Sequence, residues 1–167
     1  SGSWYYFEDG SAVRSRFITI DDKTYYFDSS KALVKGWINQ TSRYDSMAGE
    51  LWSYADPSNG GALAEGWKKI GSSWYYFNES NHYAKTGLSY IEDGLYLFNT
   101  NGKYAKKVTG TSKWVKNDKN YYYIDENGNY LRSVEKEIDG VLYGFYYDGR
   151  LKTEEDGYYD ENGAALR

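Results

Sequence analysis

Along this chain short runs of aromatic residues alternate with short polar runs. Aromatic clusters fall at Trp4–Phe7, Tyr25–Phe27, Trp52–Tyr54, Trp74–Phe77, Tyr96–Phe98, Tyr121–Tyr123, Tyr143–Tyr147 and Tyr158–Tyr159. Each is closed by an acid or amide: Glu8, Asp28, Asp56, Asn78, Asn99, Asp125, Asp148 and Asp160. Most intervals lie near about twenty residues, the mark of a repeat array in which each unit is too short to bury its own apolar face. Within Ser73–Phe77 the β-favouring run is bounded by Gly71-Ser72 and by Asn78-Glu79-Ser80-Asn81. It predicts a strand with Trp74 and Tyr76 on one face and Tyr75 and Phe77 on the other. Trp67–Ile70 predicts its partner, with Gly71-Ser72 at the hairpin tip. Segments such as Tyr83–Gly87 and Asn99–Lys106 read as connections to the next hairpin. No stretch has a sustained helical period; Thr41–Gly49 reads as an insertion, either a short helical turn or an open loop.

The expectation is an all-β fold: a β-solenoid of stacked hairpins over residues 1–167. It comprises about seven units, the first and last incomplete, interrupted at 41–49. The chain opens in mid-repeat at Trp4-Tyr5-Tyr6-Phe7, so an export signal is expected elsewhere in the full-length protein. Aromatics make up 20% of the residues, with 21 Tyr and 6 Trp, which suits a thin structure whose core lies close to water. The single Pro leaves turns to 18 Gly and to Asn and Asp.

Charge narrows the chemistry. The net charge is -4 and Lys and Arg form no stripe, so nucleic acid is not an expected partner. No apolar run suggests membrane insertion. There is no cysteine, and the one histidine, His82, lies in a polar connection without a metal-ligating companion. Turn carboxylates such as Asp125-Glu126 and Asp160-Glu161 directly follow strands, where Asp and Asn bind turn backbone. Asp125–Asn129 places its Gly too early for an EF-hand loop. No metal, cofactor or catalytic residue is expected, and the segment reads as a non-enzyme.

Gly-Trp, a short spacer, Trp-Tyr-Tyr-Phe, a polar turn and then Gly resembles the choline-binding, or cell-wall-binding, repeats of bacterial surface proteins and lytic enzymes. Residues 36–87 carry the motif most fully, with Leu51–Phe77 the most faithful stretch. The glucan-binding repeats of glucansucrases and the repeats of large clostridial toxins look like cousins. The resemblance implies non-covalent attachment of a secreted bacterial protein to a cell-wall polymer, without catalysis in this segment. It also implies aromatic cages that join the Gly-Trp tryptophan, the Trp-Tyr-Tyr tryptophan and a Tyr of the next repeat. Carried over residue by residue, the cages are Trp67, Trp74 and Tyr96; Trp37, Trp52 and Tyr75; and Trp114 and Tyr121 with Tyr143 or Phe145, where two registers fit. Leu88 and Leu95 replace the tryptophans of one unit, and Phe17 and Thr24 those of another. The implied ligand is choline of teichoic acid, a quaternary ammonium held by ring faces. Two alternatives stand beside it: a glycan such as glucan stacked on exposed aromatics, and a structural spacer without a ligand. Weak self-association is an open alternative as well.

Overall fold

The computed structural model describes residues 2–40 and 50–153; the 41–49 insertion and the last aromatic cluster, Tyr158–Tyr159, lie outside them. Among the described residues every strand is antiparallel to a sequence neighbour. The pairs are β1 (Phe7–Glu8) with β2 (Ser11–Ala12), and β3 (Arg16–Ile20) with β4 (Lys23–Phe27). Next, β5 (Gly36–Asn39) pairs with β6 (Trp52–Asp56), which also pairs with β7 (Ala62–Leu63), and β8 (Gly66–Ile70) pairs with β9 (Ser73–Phe77). In the remainder β10 (Gly87–Ile91) pairs with β11 (Gly94–Phe98), which pairs with β12 (Tyr104–Val108). Finally β13 (Lys113–Asn117) pairs with β14 (Asn120–Ile124), and β15 (Val134–Ile138) with β16 (Val141–Phe145). This is the expected all-β architecture of hairpin repeats. Among the described residues the only helical turn is a 3-10 turn at Pro57–Asn59, and no helix is long and apolar enough to cross a membrane.

The hairpin at 66–77 shows how local sequence sets the unit. Gly71 turns the chain with φ of 61°, the positive value that a two-residue hairpin loop asks of its first residue. The register pairs Trp67 with Tyr76 and Lys69 with Trp74. Tyr75 and Phe77 share one face and Trp74 lies on the other, as the pattern predicts; the structure buries the first face and leaves Trp74 exposed. Burying a ring as fully as Phe77 contributes roughly 1.5–3 kcal/mol.

The residue closing each strand makes the next turn. The Asp28 carboxylate accepts from Ser30 N at 2.8 Å and Ala32 N at 3.1 Å, and that of Asp125 from Asn127 N at 2.9 Å and Asn129 N at 2.8 Å. The Asn78 amide oxygen repeats the pattern on Ser80 N at 2.9 Å. These bonds, the Ser30 hydroxyl first, hold the Asp28 carboxyl below its usual range. The turn sends the chain back for a single bridge to the second strand: Phe27 with Leu33, Phe77 with Ala84, Ile124 with Tyr130, and Phe145 with Leu151. The bridge residue also donates to the preceding hairpin: Leu33 N to Trp4 O, Ala84 N to Trp52 O, and Leu151 N to Tyr121 O, each at 2.8 Å. One departure from the sequence reading lies at 104–108. The connection there extends into a full third strand, β12, anchored by buried Val108.

The chain forms two compact units, residues 1–84 and 85–167. In the first, Ile38, Ala55 and Leu63 pack with Phe17, Tyr26 and Val34, and Ala64, Tyr75 and Phe77 pack with Tyr54, Ile70 and Ala84. In the second, one cluster joins Leu88, Leu95, Leu97, Val108, Val115, Tyr122 and Ile124. Another joins Ile138, Phe145 and Leu151 with Tyr121, Tyr123, Leu131 and Tyr143. Each cluster draws on more than one hairpin, so burial comes from stacking, as units of this size require. Gly87 shows the tightness: with φ of 66°, a Cβ there would sit 2.8 Å from the Tyr122 hydroxyl oxygen.

Candidate functional site

Two stacked pairs of hairpins, one in each unit, carry almost the same aromatic arrangement. In the first, Trp37 on β5 stands opposite Tyr54 on β6, and the next hairpin presents Tyr75 and Phe77 from β9. The Trp37 ring lies 5.1 Å from Tyr54 at 61°, 4.9 Å from Tyr75 at 64° and 5.9 Å from Phe77 at 41°. In the second, Trp114 on β13 stands opposite Tyr123 on β14, and β16 presents Tyr143 and Phe145. Trp114 lies 5.1 Å from Tyr123 at 70°, 4.9 Å from Tyr143 at 69° and 6.1 Å from Phe145 at 30°. Both tryptophans remain 38% exposed. The edge-to-face contacts close the space between the rings. A ligand would therefore meet the outer faces of Trp37 and Trp114, not a gap within the quartet.

The fifth ring differs. Trp52 stands 6.3 Å from Trp37 at 86°, so two indoles form a right-angled corner. The Trp52 indole N–H donates to a Glu50 carboxylate oxygen at 3.0 Å, which places a negative group at the rim. Tyr121 takes the corresponding place in the second unit, and the Lys116 ammonium lies 5.3 Å from its ring centroid. Lys116 pairs with Tyr121 across the hairpin, where the first site pairs Asn39 with Trp52. The second corner already holds a cation of the protein itself.

The structure thus brings Trp37, Trp52 and Tyr75 together, and joins Trp114 to both Tyr143 and Phe145. The two registers open in the sequence resolve because Tyr143 and Phe145 share one face of β16. Trp67 packs edge-on against its cross-strand neighbour Tyr76 at 5.4 Å, and Trp74 lies on the same face, 45% exposed. Their predicted partner Tyr96 is on β11 in the second unit, with the Lys107 ammonium 5.5 Å from its ring. Leu88 and Leu95 are buried in the aliphatic cluster. Sequence reasoning missed Tyr54, Tyr123 and Phe77 as ring partners. The signal that finds Tyr54 and Tyr123 is hairpin register, since the residue opposite the Gly-Trp tryptophan is fixed once the turn is placed.

Polar groups serve the scaffold. Gln40 Nε2 donates to Ser53 Oγ at 2.8 Å, and Ser53 Oγ donates to the His82 carbonyl at 2.8 Å, tying the third hairpin to the connection after the fourth. Burial alone would raise the Asp56 carboxyl, but hydrogen bonds from Lys68 and Ser58 outweigh it and hold it below its usual range. Among the described residues no three His, Cys, Asp or Glu side chains are grouped to hold a metal ion.

Three segments, residues 15–30, 65–80 and 112–130, match a family model described as a putative cell wall binding repeat. A curated relative, glucosyltransferase-S of Streptococcus downei, is 33% identical over 78 residues, 47% of this chain and 5% of the relative. Choline binding protein F from Streptococcus pneumoniae, solved in the presence of a peptidoglycan analogue, superposes with a TM-score of 0.53 at 25% identity. The match covers 99% of this chain and 55% of that one. CbpJ from Streptococcus pneumoniae TIGR4 superposes with a TM-score of 0.51 at 26% identity, covering 98% of this chain and 55% of that one. The chain therefore spans about half the length of these two structures and a small part of the glucosyltransferase.

Proposed function

Because its repeats are cell wall binding repeats of the choline-binding family, we propose that this chain is a single, non-catalytic repeat array of a secreted bacterial protein. Its role is to hold that protein on a choline-bearing surface polymer. The observation that carries the reading is the corner of exposed Trp37 and half-buried Trp52, edged by Glu50 and backed by Tyr75. A quaternary ammonium has no hydrogen to donate, so ring faces and a nearby carboxylate are the groups suited to it. Each ring contributes roughly 0.5–2 kcal/mol, so a corner of this kind gives about the 4 kcal/mol of a millimolar site. Further sites at Trp67 with Trp74 and at Trp114 with Tyr143 would strengthen attachment to a polymer through effective concentration. Binding to a resin bearing tertiary amines, in salt high enough to screen the acidic surface, tests this. Elution by free choline but not by equal ionic strength of NaCl is the expected result; equal elution by both would refute choline recognition.

A second reading, glycan binding, draws on the relation to the glucosyltransferase and on Trp74, whose exposed ring suits stacking on a sugar. It predicts retention on a glucan matrix that choline does not relieve.

A further inference from the structure

The third hairpin, β5 with β6, departs twice from the hairpins built of five-residue strands. Those close through two residues each, at 21–22, 71–72, 92–93, 118–119 and 139–140. A turn that short fixes the register by itself. Residues 40–51 lie between β5 and β6, so no such turn sets the pairing of Trp37 with Tyr54 and of Asn39 with Trp52. A slip of one residue would carry Trp52 to the opposite face and take the corner apart. The second departure is in the residues. Aligned by register, the place of Ser53 holds Tyr25, Tyr75, Tyr96, Tyr122 and Tyr143 in those other hairpins. The place of Gln40 holds Ile20, Ile70, Ile91 and Ile138, with Asn117 in the sixth hairpin. An apolar pair has become Gln and Ser where the tight turn is missing. Both are buried, Gln40 at 3% and Ser53 at 0% exposure, and both are fully engaged. Gln40 N donates to Leu51 O, Gln40 Nε2 to Ser53 Oγ, Ser53 Oγ to the His82 carbonyl and Ala84 N to Trp52 O, each at 2.8 Å. The chain at 51, 52 and 53 is thus held at every residue, from β5 on one side and from 82–84 on the other.

We infer that Gln40 and Ser53, closed by the His82 carbonyl, are positioning residues for the Trp37–Trp52 corner: a buried register lock in place of a tight turn. Hydrogen bonding suits this task better than packing does. Apolar contact is non-directional, so an Ile and a Tyr keep much of their burial when strands slip. Gln40 and Ser53 in a shifted register would be buried without partners, which penalises every register but one. The lock lies on the face of β6 away from the Trp52 ring, since Ser53 and Trp52 alternate. It therefore acts through the backbone and leaves the ring open to a ligand. Its part in binding rests on the reading of the corner as a choline site; its part in register does not.

The readout is the Trp52 indole N–H resonance of the full chain, followed without ligand and then through a choline titration. Ser53→Ala removes the middle of the lock. It should split or broaden that resonance before choline is added, as a second register becomes populated. Choline affinity read at the same resonance should fall about fivefold, the worth of one ring contact. Gln40→Met, close in shape but without hydrogen bonds, should act in the same direction. The double variant should lose no more than Ser53→Ala alone, because both changes break one chain of bonds. Leu63→Ala opens a cavity in the same core beside the far end of β6 and controls for lost stability. It should leave the ligand-free resonance and the affinity as in the parent. Should the Ser53→Ala chain unfold, Gln40→Met carries the test, since it leaves the bond from Ser53 to His82 in place. An unchanged ligand-free resonance in the folded lock variant, the same splitting in Leu63→Ala, or additive losses in the double variant would overturn the inference. A parent that binds no choline, with a resonance that Ser53→Ala still splits, would overturn the choline reading and leave the lock standing.

Discussion

The sites at Trp37 and Trp114 share ring distances to within a few tenths of an ångström, yet they differ in charge. The first corner pairs Trp52 with Glu50; the second pairs Tyr121 with Lys116. Packing is common to both because it builds the stack: each tryptophan closes the seam between two hairpins and each needs the Tyr and Phe of the next. On the reading proposed above, recognition is added at the rim, by residues the seam does not constrain. An aromatic quartet in this fold is thus a structural device first; on that reading it serves as a cation site where the fifth ring is open and the local charge is negative or neutral. A protein ammonium over a ring is an intramolecular competitor for any quaternary ammonium.

The largest effects should come from the tryptophans. Trp37→Ala and Trp114→Ala should each destabilise the unit that holds them by about 3 kcal/mol, the low end for loss of a large ring from a packed seam. Chemical denaturation followed by circular dichroism measures this. If the comparison is right, only Trp37→Ala also removes most of the choline response.

The next effect separates the units by pH. Burial pushes the Tyr122 hydroxyl up from 10.0 to about 12, with the Asp148 charge adding to it. A raised acid is stabilising in its neutral form, so the contribution is complete below pH 10 and is lost as pH rises toward 12. The loss amounts to about 3 kcal/mol. Alkaline unfolding should therefore begin in the second unit, and Tyr122→Phe should flatten that limb; fluorescence of Trp114 against that of Trp37, each kept as the sole tryptophan of its unit, reports it.

Smaller changes act on the rims. Lys116→Gln frees the Tyr121 ring and should raise choline affinity at the second site two- to fivefold, the range of a surface cation–π contact of about 0.5–1 kcal/mol. Glu50→Gln should weaken the first site by about twofold in low salt, an effect that fades as salt screens the carboxylate. Isothermal titration of the two variants at two ionic strengths measures both.

Much of this was legible in the residues themselves. The alternation Trp74-Tyr75-Tyr76-Phe77 told which rings share a face, and Gly71-Ser72 told where the hairpin turns, because both depend on neighbours in sequence. Asp28, Asn78 and Asp125 were read correctly as turn residues for the same reason. What escaped depends on register across strands. Tyr54 was not seen as the partner of Trp37 because the 41–49 insertion separates them and hides the spacing. The pairing of Lys116 with Tyr121, and of Glu50 with the Trp52 indole, turns on which faces the hairpins present, and composition does not carry that. Asn99–Lys106 reads as a connection because two adjacent lysines, Lys106 and Lys107, break any apolar alternation; pairing with β11, with buried Val108 opposite Leu95, makes 104–108 a strand.

The most direct test is tryptophan fluorescence titrated with choline to tens of millimolar, with NaCl as control, on Trp37→Ala and Trp114→Ala side by side, both confirmed folded. A saturable change that survives Trp114→Ala and loses most of its amplitude in Trp37→Ala is the predicted result. A response lost with Trp114 and kept without Trp37, or no saturable response in either variant or the parent, would contradict the account.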